Sequence, residues 1–192
     1  MDLVYGFIMS EICTLRRRLL GGAGATLMLA GLPGVAHASL QSPNAPLRAL
    51  SFYNRHTGER TTAEFWGEGH YLQSGLTQLD TVLRDHRVNE VAPIDRGLYE
   101  LVYQLAEKLD YHKDIHLISG YRSMKTNEML AARSGGVAKR SYHTKAMAVD
   151  IAMPGVALSD LRKAALSLQG GGVGYYPRSG FVHVDTGPVR RW

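Results

Sequence analysis

The chain reads as an α+β protein, a mostly antiparallel sheet with helices packed on one side. Three observations predict this class. Two β-rich runs, Arg48 to Asn54 and Glu59 to Trp66, flank His56-Thr57-Gly58 and read as a hairpin. Apolar residues then recur at helical spacing in two stretches, Leu72, Leu76, Leu79, Val82 and Leu83, and Leu98, Leu101, Val102 and Leu105 after Asp95. Finally, short apolar runs with period-two alternation end the chain. Between these, Ile115 to Ser119 is strand-like and stops at Gly120-Tyr121, and a third helix is expected near Lys125 to Ser134, ended by Gly135-Gly136. A strand over Ala146 to Met153, a helix capped by Ser159 or Asp160, a glycine-rich approach and a last strand over Gly180 to Asp185 complete the plan.

The 192 residues suffice for one domain and an appendage, and 45% hydrophobic content supplies a core. The appendage is N-terminal. Arg16-Arg17-Arg18 precedes an apolar run from Leu19 to Val35 and the small-x-small site Ala36-His37-Ala38, so residues 1–38 read as an export signal cleaved after Ala38. Thr14-Leu15-Arg16-Arg17-Arg18-Leu19-Leu20 resembles a twin-arginine signal. Residues 39–47 then read as a linker and 48–192 as the functional domain, destined for the periplasm. The apolar run is shorter than a comfortable bilayer span of ~20 residues and nothing later approaches it, so no membrane span is expected after cleavage. The only cysteine, Cys13, departs with the signal, which excludes disulfides, thiolate catalysis and cysteine-rich zinc sites. Net charge is +5 without a basic run, and export removes nucleic acid as a partner.

Any metal must therefore be held by His, Asp or Glu. In Ser141-Tyr142-His143-Thr144-Lys145-Ala146-Met147-Ala148-Val149-Asp150, alternation puts Ala146, Ala148 and Asp150 on one face, a small surface ending in a carboxylate. In Phe181-Val182-His183-Val184-Asp185 the same alternation puts Phe181, His183 and Asp185 together and sends the valines to the core. If these strands pair, two histidines and an aspartate converge. Three protein ligands and an open position are what catalytic zinc needs, whereas structural zinc wants a fourth ligand.

Ser141-x-His143-x-x-Ala146-x-Ala148-x-Asp150 resembles the Ser-x-His-x-x-Gly-x-Ala-x-Asp signature of zinc D,D-peptidases related to VanX-type dipeptidases and to the hedgehog signalling domain, with alanine in the glycine place. Ser119-Gly120-Tyr121-Arg122-Ser123 is similar to that family's Ser-Gly-Tyr-Arg-Ser segment, and Gly171 through Asp185 to the closing segment of one branch. The resemblance implies a hedgehog/D,D-peptidase-like fold and one Zn(2+) per chain, bound by His143, Asp150 and His183. It further implies hydrolysis of amide bonds in peptidoglycan cross-linked peptides, including links between two diaminopimelate residues. Arg122 would pair with a substrate carboxylate or a developing oxyanion, a role that suits its forked, permanent charge.

Relatives carry a general base shortly before the last ligand, but Gly180 and Phe181 stand there in this chain. Asp185, on the ligand face, is the candidate to activate water or to orient a ligand. Tyr175 and Tyr176 are candidates to line the substrate groove. Two other readings stay open: a D,D-carboxypeptidase that trims free stem peptides, and a zinc-containing peptidoglycan-binding module without catalysis.

Overall fold

A computed structural model of the chain describes residues 46–133, 138 and 140–192. The expected export signal, and the linker up to residue 45, lie outside the described residues. The elements follow the order β1 (Arg48–Asn54), β2 (Arg60–Gly67), β3 (His70–Tyr71), α1 (Gln73–Val82), α2 (Arg96–Lys108), β4 (Ile115–Ser119), α3 (Met124–Arg133), a 3₁₀ turn (Tyr142–Lys145), β5 (Ala148–Ala152), α4 (Leu158–Leu168), β6 (Gly172–Tyr176), β7 (Phe181–Asp185) and β8 (Arg190–Arg191).

The strands form one sheet in the order β3-β2-β1-β4-β5-β7-β6-β8. Only β1 with β4 and β6 with β8 run parallel; the other neighbours are antiparallel. This is the expected α+β architecture. Alternation gives the sheet two unlike faces. Leu50, Phe52, Phe65, Leu117, Val149, Ile151, Val182 and Val184 are buried in one apolar cluster with Leu76 and Leu79 of α1, Leu98 and Leu105 of α2, and Leu161 of α4. The opposite face of β5 and β7 carries Asp150, His183 and Asp185.

Local sequence explains some element ends. Asp95 caps α2 by accepting from the Gly97 backbone N–H, which satisfies an otherwise unpaired donor of the first turn. The Asp95 N–H in turn donates to the Ala146 carbonyl, tying the start of α2 to the connection that carries the 3₁₀ turn. Four expectations are corrected. The strand expected from Ala146 begins only at Ala148, because Ala146 closes the 3₁₀ turn in the left-handed region at φ 55°. That conformation costs a side-chain-bearing residue about 1 kcal/mol, which is why glycine suits the position. Ser159 and Asp160 do not cap α4; they sit in its first turn, after the N-cap Ala157. The last strand starts at Phe181, since Gly180 is left-handed at φ 73°. The glycine-rich approach is itself a strand, β6.

Ile151 is fully buried on β5, directly behind the polar face. Ile151→Ala should cost about 2–5 kcal/mol of unfolding free energy in urea titrations, because the neighbouring helices and strands cannot close the cavity.

Candidate metal centre

Three side chains on three backbone segments converge on the polar face. Asp150 stands directly opposite His183 in the antiparallel register of β5 and β7. His143 arrives from the 3₁₀ turn, which Ser141 opens by accepting from the His143 N–H. His143 Nε2 lies 3.2 Å from His183 Nδ1 and 3.3 Å from Asp150 Oδ1, and His183 Nδ1 lies 2.8 Å from Asp150 Oδ1. All three residues are buried, and among the described residues they form the one cluster of this kind able to hold a metal ion.

The two separations from His143 match this donor set, and the His183–Asp150 pair is tighter. Tetrahedral ligands at ~2.0–2.1 Å from a zinc ion stand roughly 3.3 Å apart. The far nitrogens are also arranged for coordination. His143 Nδ1–H donates to the Gly120 carbonyl at 2.8 Å, which leaves Nε2 as the lone-pair nitrogen in the cluster. His183 turns Nε2 to Asp185 at 2.9 Å and Nδ1 to Asp150 at 2.8 Å, so a proton on the Asp185 side leaves Nδ1 as the lone-pair nitrogen. Each histidine thus has an acceptor outside the cluster for its far N–H. Burial pushes the Asp150 carboxyl upward, but attraction to His143 and the close approach of both imidazoles outweigh it and hold the group well below the usual carboxylate range. His183 is the mirror case: burial lowers it, and Asp150 and Asp185 raise it more.

The cluster floors a cleft of ≈ 430 Å³ whose walls include Arg122, Arg140, Tyr142, Tyr176, Phe181 and Trp192. Among the described lining residues Asp150 is the only carboxylate. Arg122 is half-buried; its Nη atoms make long bonds to Asn127 and Ser119 at 3.4 and 3.3 Å, and its Nε has no hydrogen-bond partner. Burial lowers its pKa, opposed by the nearby Asp150 charge. An under-satisfied guanidinium at the edge of a cleft is prepared for an anion.

Two sequence candidates stand elsewhere. Tyr175 and Tyr176 are consecutive on β6, so they point to opposite faces. Tyr176 lines the cleft, whereas Tyr175 packs against the apolar cluster with Arg162 of α4 over its ring. Asp185 is fully buried behind His183, and its oxygens accept from His183, both terminal nitrogens of Arg190, and the Gly172 and Gly187 N–H groups. No oxygen is left for water, so of its two expected roles the geometry favours orienting a ligand.

Sequence reasoning passed over Asp85, a buried residue on the loop after α1. Its Oδ2 accepts from Ser123 N at 3.0 Å and Ser123 Oγ at 2.8 Å, and Oδ1 accepts from Arg87 N. Next to it, Tyr121 N donates to the Leu83 carbonyl, and a Cβ on Gly120 would stand 2.3 Å from that same oxygen. The loop therefore grips the segment that presents both the Gly120 carbonyl and Arg122. A lone aspartate more than thirty residues upstream carries no local signal of that role.

A model of the peptidoglycan L,D-endopeptidase MepK family matches residues 42–192. The chain belongs to that family. It is 51% identical over 177 residues, 92% of this chain and 96% of the relative, to the peptidoglycan L,D-endopeptidase MepK of Escherichia coli strain K12. The probable peptidoglycan L,D-endopeptidase MepK of Haemophilus influenzae is 42% identical over 178 residues, covering 92% of this chain and 95% of the relative. No solved structure matches significantly. The family resemblance read from the His143–Asp150 and His183 segments is thereby upheld at the level of a metallopeptidase family whose candidate metal site is His-Asp-His.

Bonds to Ser123 and Arg87 hold the Asp85 carboxyl below its ordinary value although burial works to raise it. A carboxyl depressed on folding stabilises the protein above the unfolded value of ~3.9 and loses that contribution as pH falls through the folded value. Asp85→Asn should accordingly cost about 1–3 kcal/mol near neutral pH and flatten the acid limb of a stability-versus-pH curve followed by thermal melting.

Proposed function

We propose that this protein is a periplasmic zinc endopeptidase that hydrolyses amide bonds of peptidoglycan cross-links, diaminopimelate-diaminopimelate links included, during remodelling of the wall. The observation that carries the proposal is the convergence of His143 Nε2, Asp150 Oδ1 and His183 Nδ1, with the far nitrogen of each histidine already bonded to an acceptor. Family membership supports the reaction class.

His143, Asp150 and His183, at the floor of the cleft, would hold one zinc ion. Zinc bound there supplies Lewis acidity, polarising a carbonyl and acidifying water. The chain's own residues do the rest. Asp185 keeps His183 in its coordinating tautomer. Arg122, whose Nη atoms are held only by long bonds, meets a substrate carboxylate or the oxyanion that develops as the amide is attacked. Arg140 extends the positive wall, which suits a peptide bearing several carboxylates. Tyr176 offers its ring to the groove, and its hydroxyl oxygen is fixed by the Trp192 indole N–H at 2.7 Å.

The test is mass-spectrometric analysis of cross-linked muropeptides incubated with purified protein and zinc, beside a His183→Ala control. Dimers should become monomers only with the intact site, and the products name the bond. Loss of terminal D-alanine alone would establish a carboxypeptidase, and bound zinc without any product would establish a binding module. In the same assay Arg122→Ala should lower kcat/KM about 10²–10³-fold, with Arg122→Lys restoring only part, because an ammonium cannot present a fork.

We also propose that residues 1–38 form a twin-arginine signal and that 39–47 link it to a domain over 48–192. Mass determination of the exported protein should find Ser39 at its N-terminus, and replacing Arg16, Arg17 and Arg18 by Lys should leave the chain uncleaved in the cytoplasm.

A further inference from the structure

Arg190 of the short last strand and Trp192, which follows that strand, lie on the polar face beside His183. β8 pairs parallel to β6, with Gly172 opposite Arg190, and Trp192 continues the pairing through its N–H to the Val173 carbonyl at 3.2 Å. The glycines of β6 make this possible. A Cβ on Gly172 would stand 2.4 Å from Arg190 Nη1 and 2.6 Å from Asp185 Oδ2, and a Cβ on Gly174 would stand 2.7 Å from the Trp192 ring. Gly172 and Gly174 thus form a trough in which Arg190 and Trp192 lie flat on the sheet.

Within the trough Arg190 is held from every side. Its Nη1 and Nη2 reach the two oxygens of Asp185 at 2.9 and 2.6 Å. Its guanidinium carbon lies 4.7 Å from the centre of the Tyr142 ring and 5.0 Å from that of Trp192. Trp192 in turn packs on the His183 ring at 5.2 Å. Tyr142 is the residue before the ligand His143, so the guanidinium touches the neighbourhoods of two ligands at once. A two-point bond fixes the plane of a carboxylate, which a single charge cannot do.

We propose that Arg190 is a positioning residue of the metal centre: seated in the Gly172/Gly174 trough and clamped by Tyr142 and Trp192, it fixes the plane of Asp185 and thereby the ring orientation and tautomer of His183. This rests on the zinc reading above. The order of action runs from Arg190 through Asp185 to His183, without contact to substrate.

The test uses Arg190→Ala, Arg190→Lys and Gly172→Ala, each checked for folding by thermal melting. Two quantities are read: zinc affinity in competition with a chromophoric chelator, and the His183 tautomer from ¹⁵N NMR of the zinc-free protein. Arg190→Ala and Gly172→Ala should each weaken zinc about 10–100-fold and mix the His183 tautomers, the usual scale for loss of an outer partner of a ligating histidine. Arg190→Lys should fail to restore either quantity. Wild-type zinc affinity and a single His183 tautomer in folded Arg190→Ala would overturn the proposal, and so would full recovery in Arg190→Lys, which would reduce the effect to charge. Should Arg190→Ala not fold, Gly172→Ala and Trp192→Leu, which loosen the clamp while keeping the arginine, decide in its place. Failure of the wild-type protein to bind zinc would sink the metal reading instead, and the NMR comparison would still judge Arg190.

Discussion

The pairing of β5 with β7 is the constraint on which the rest of the molecule depends. Its register sets Asp150 across from His183 and Ala148 across from Asp185, while Val149 and Ile151 meet Val184 and Val182 on the other face. A slip of one residue would exchange the two sets, burying carboxylates against α1, α2 and α4 and opening the valines to the cleft. The cost of burying either set on the wrong face makes the register unambiguous. The neighbours reinforce it with small groups: Ser119 pairs with Asp150 on one side and Gly174 with His183 on the other.

The same pairing explains how so much charge survives in a dry place. Asp150 and Asp185 are both buried, and His183 stands between them with one nitrogen turned to each. Arg190 compensates Asp185. Asp150 is then the negative side-chain charge left facing the cleft, across from Arg122 and Arg140. An isolated carboxylate here would cost several kcal/mol. The network is thus a requirement of the fold as much as of any chemistry.

Much of this was legible from spacing alone. The hairpin, the helix after Asp95 and the strand over Ile115 to Ser119 follow local rules, and the strands that carry Asp150 and His183 follow from alternation in Ala146 to Asp150 and Phe181 to Asp185. What escaped was structure made by tertiary approach. β6 is interrupted by Gly172 and Gly174, which admit Arg190 and Trp192, a reason for glycine that exists only once the chain is folded. The pairing of Tyr175 with Tyr176 as groove residues ignored the period of two. Asp85 acts on residues far along the chain, where no window of sequence reaches, and Arg190 meets Asp185 only because β8 returns to pair with β6.

The strand order has a consequence for how the cleft can breathe. β5 and β7 are interior strands, each flanked on both sides, so their amides open only with the cooperative unit that contains the apolar cluster. The floor of the cleft is therefore tied to global stability. Its opposite wall comes from the Ser119–Ser123 turn and the 3₁₀ turn, held by a handful of bonds to Asp85, Leu83 and Ser141. Adaptation to peptides of different shape falls to that wall, while the floor beneath it keeps one geometry through every turnover.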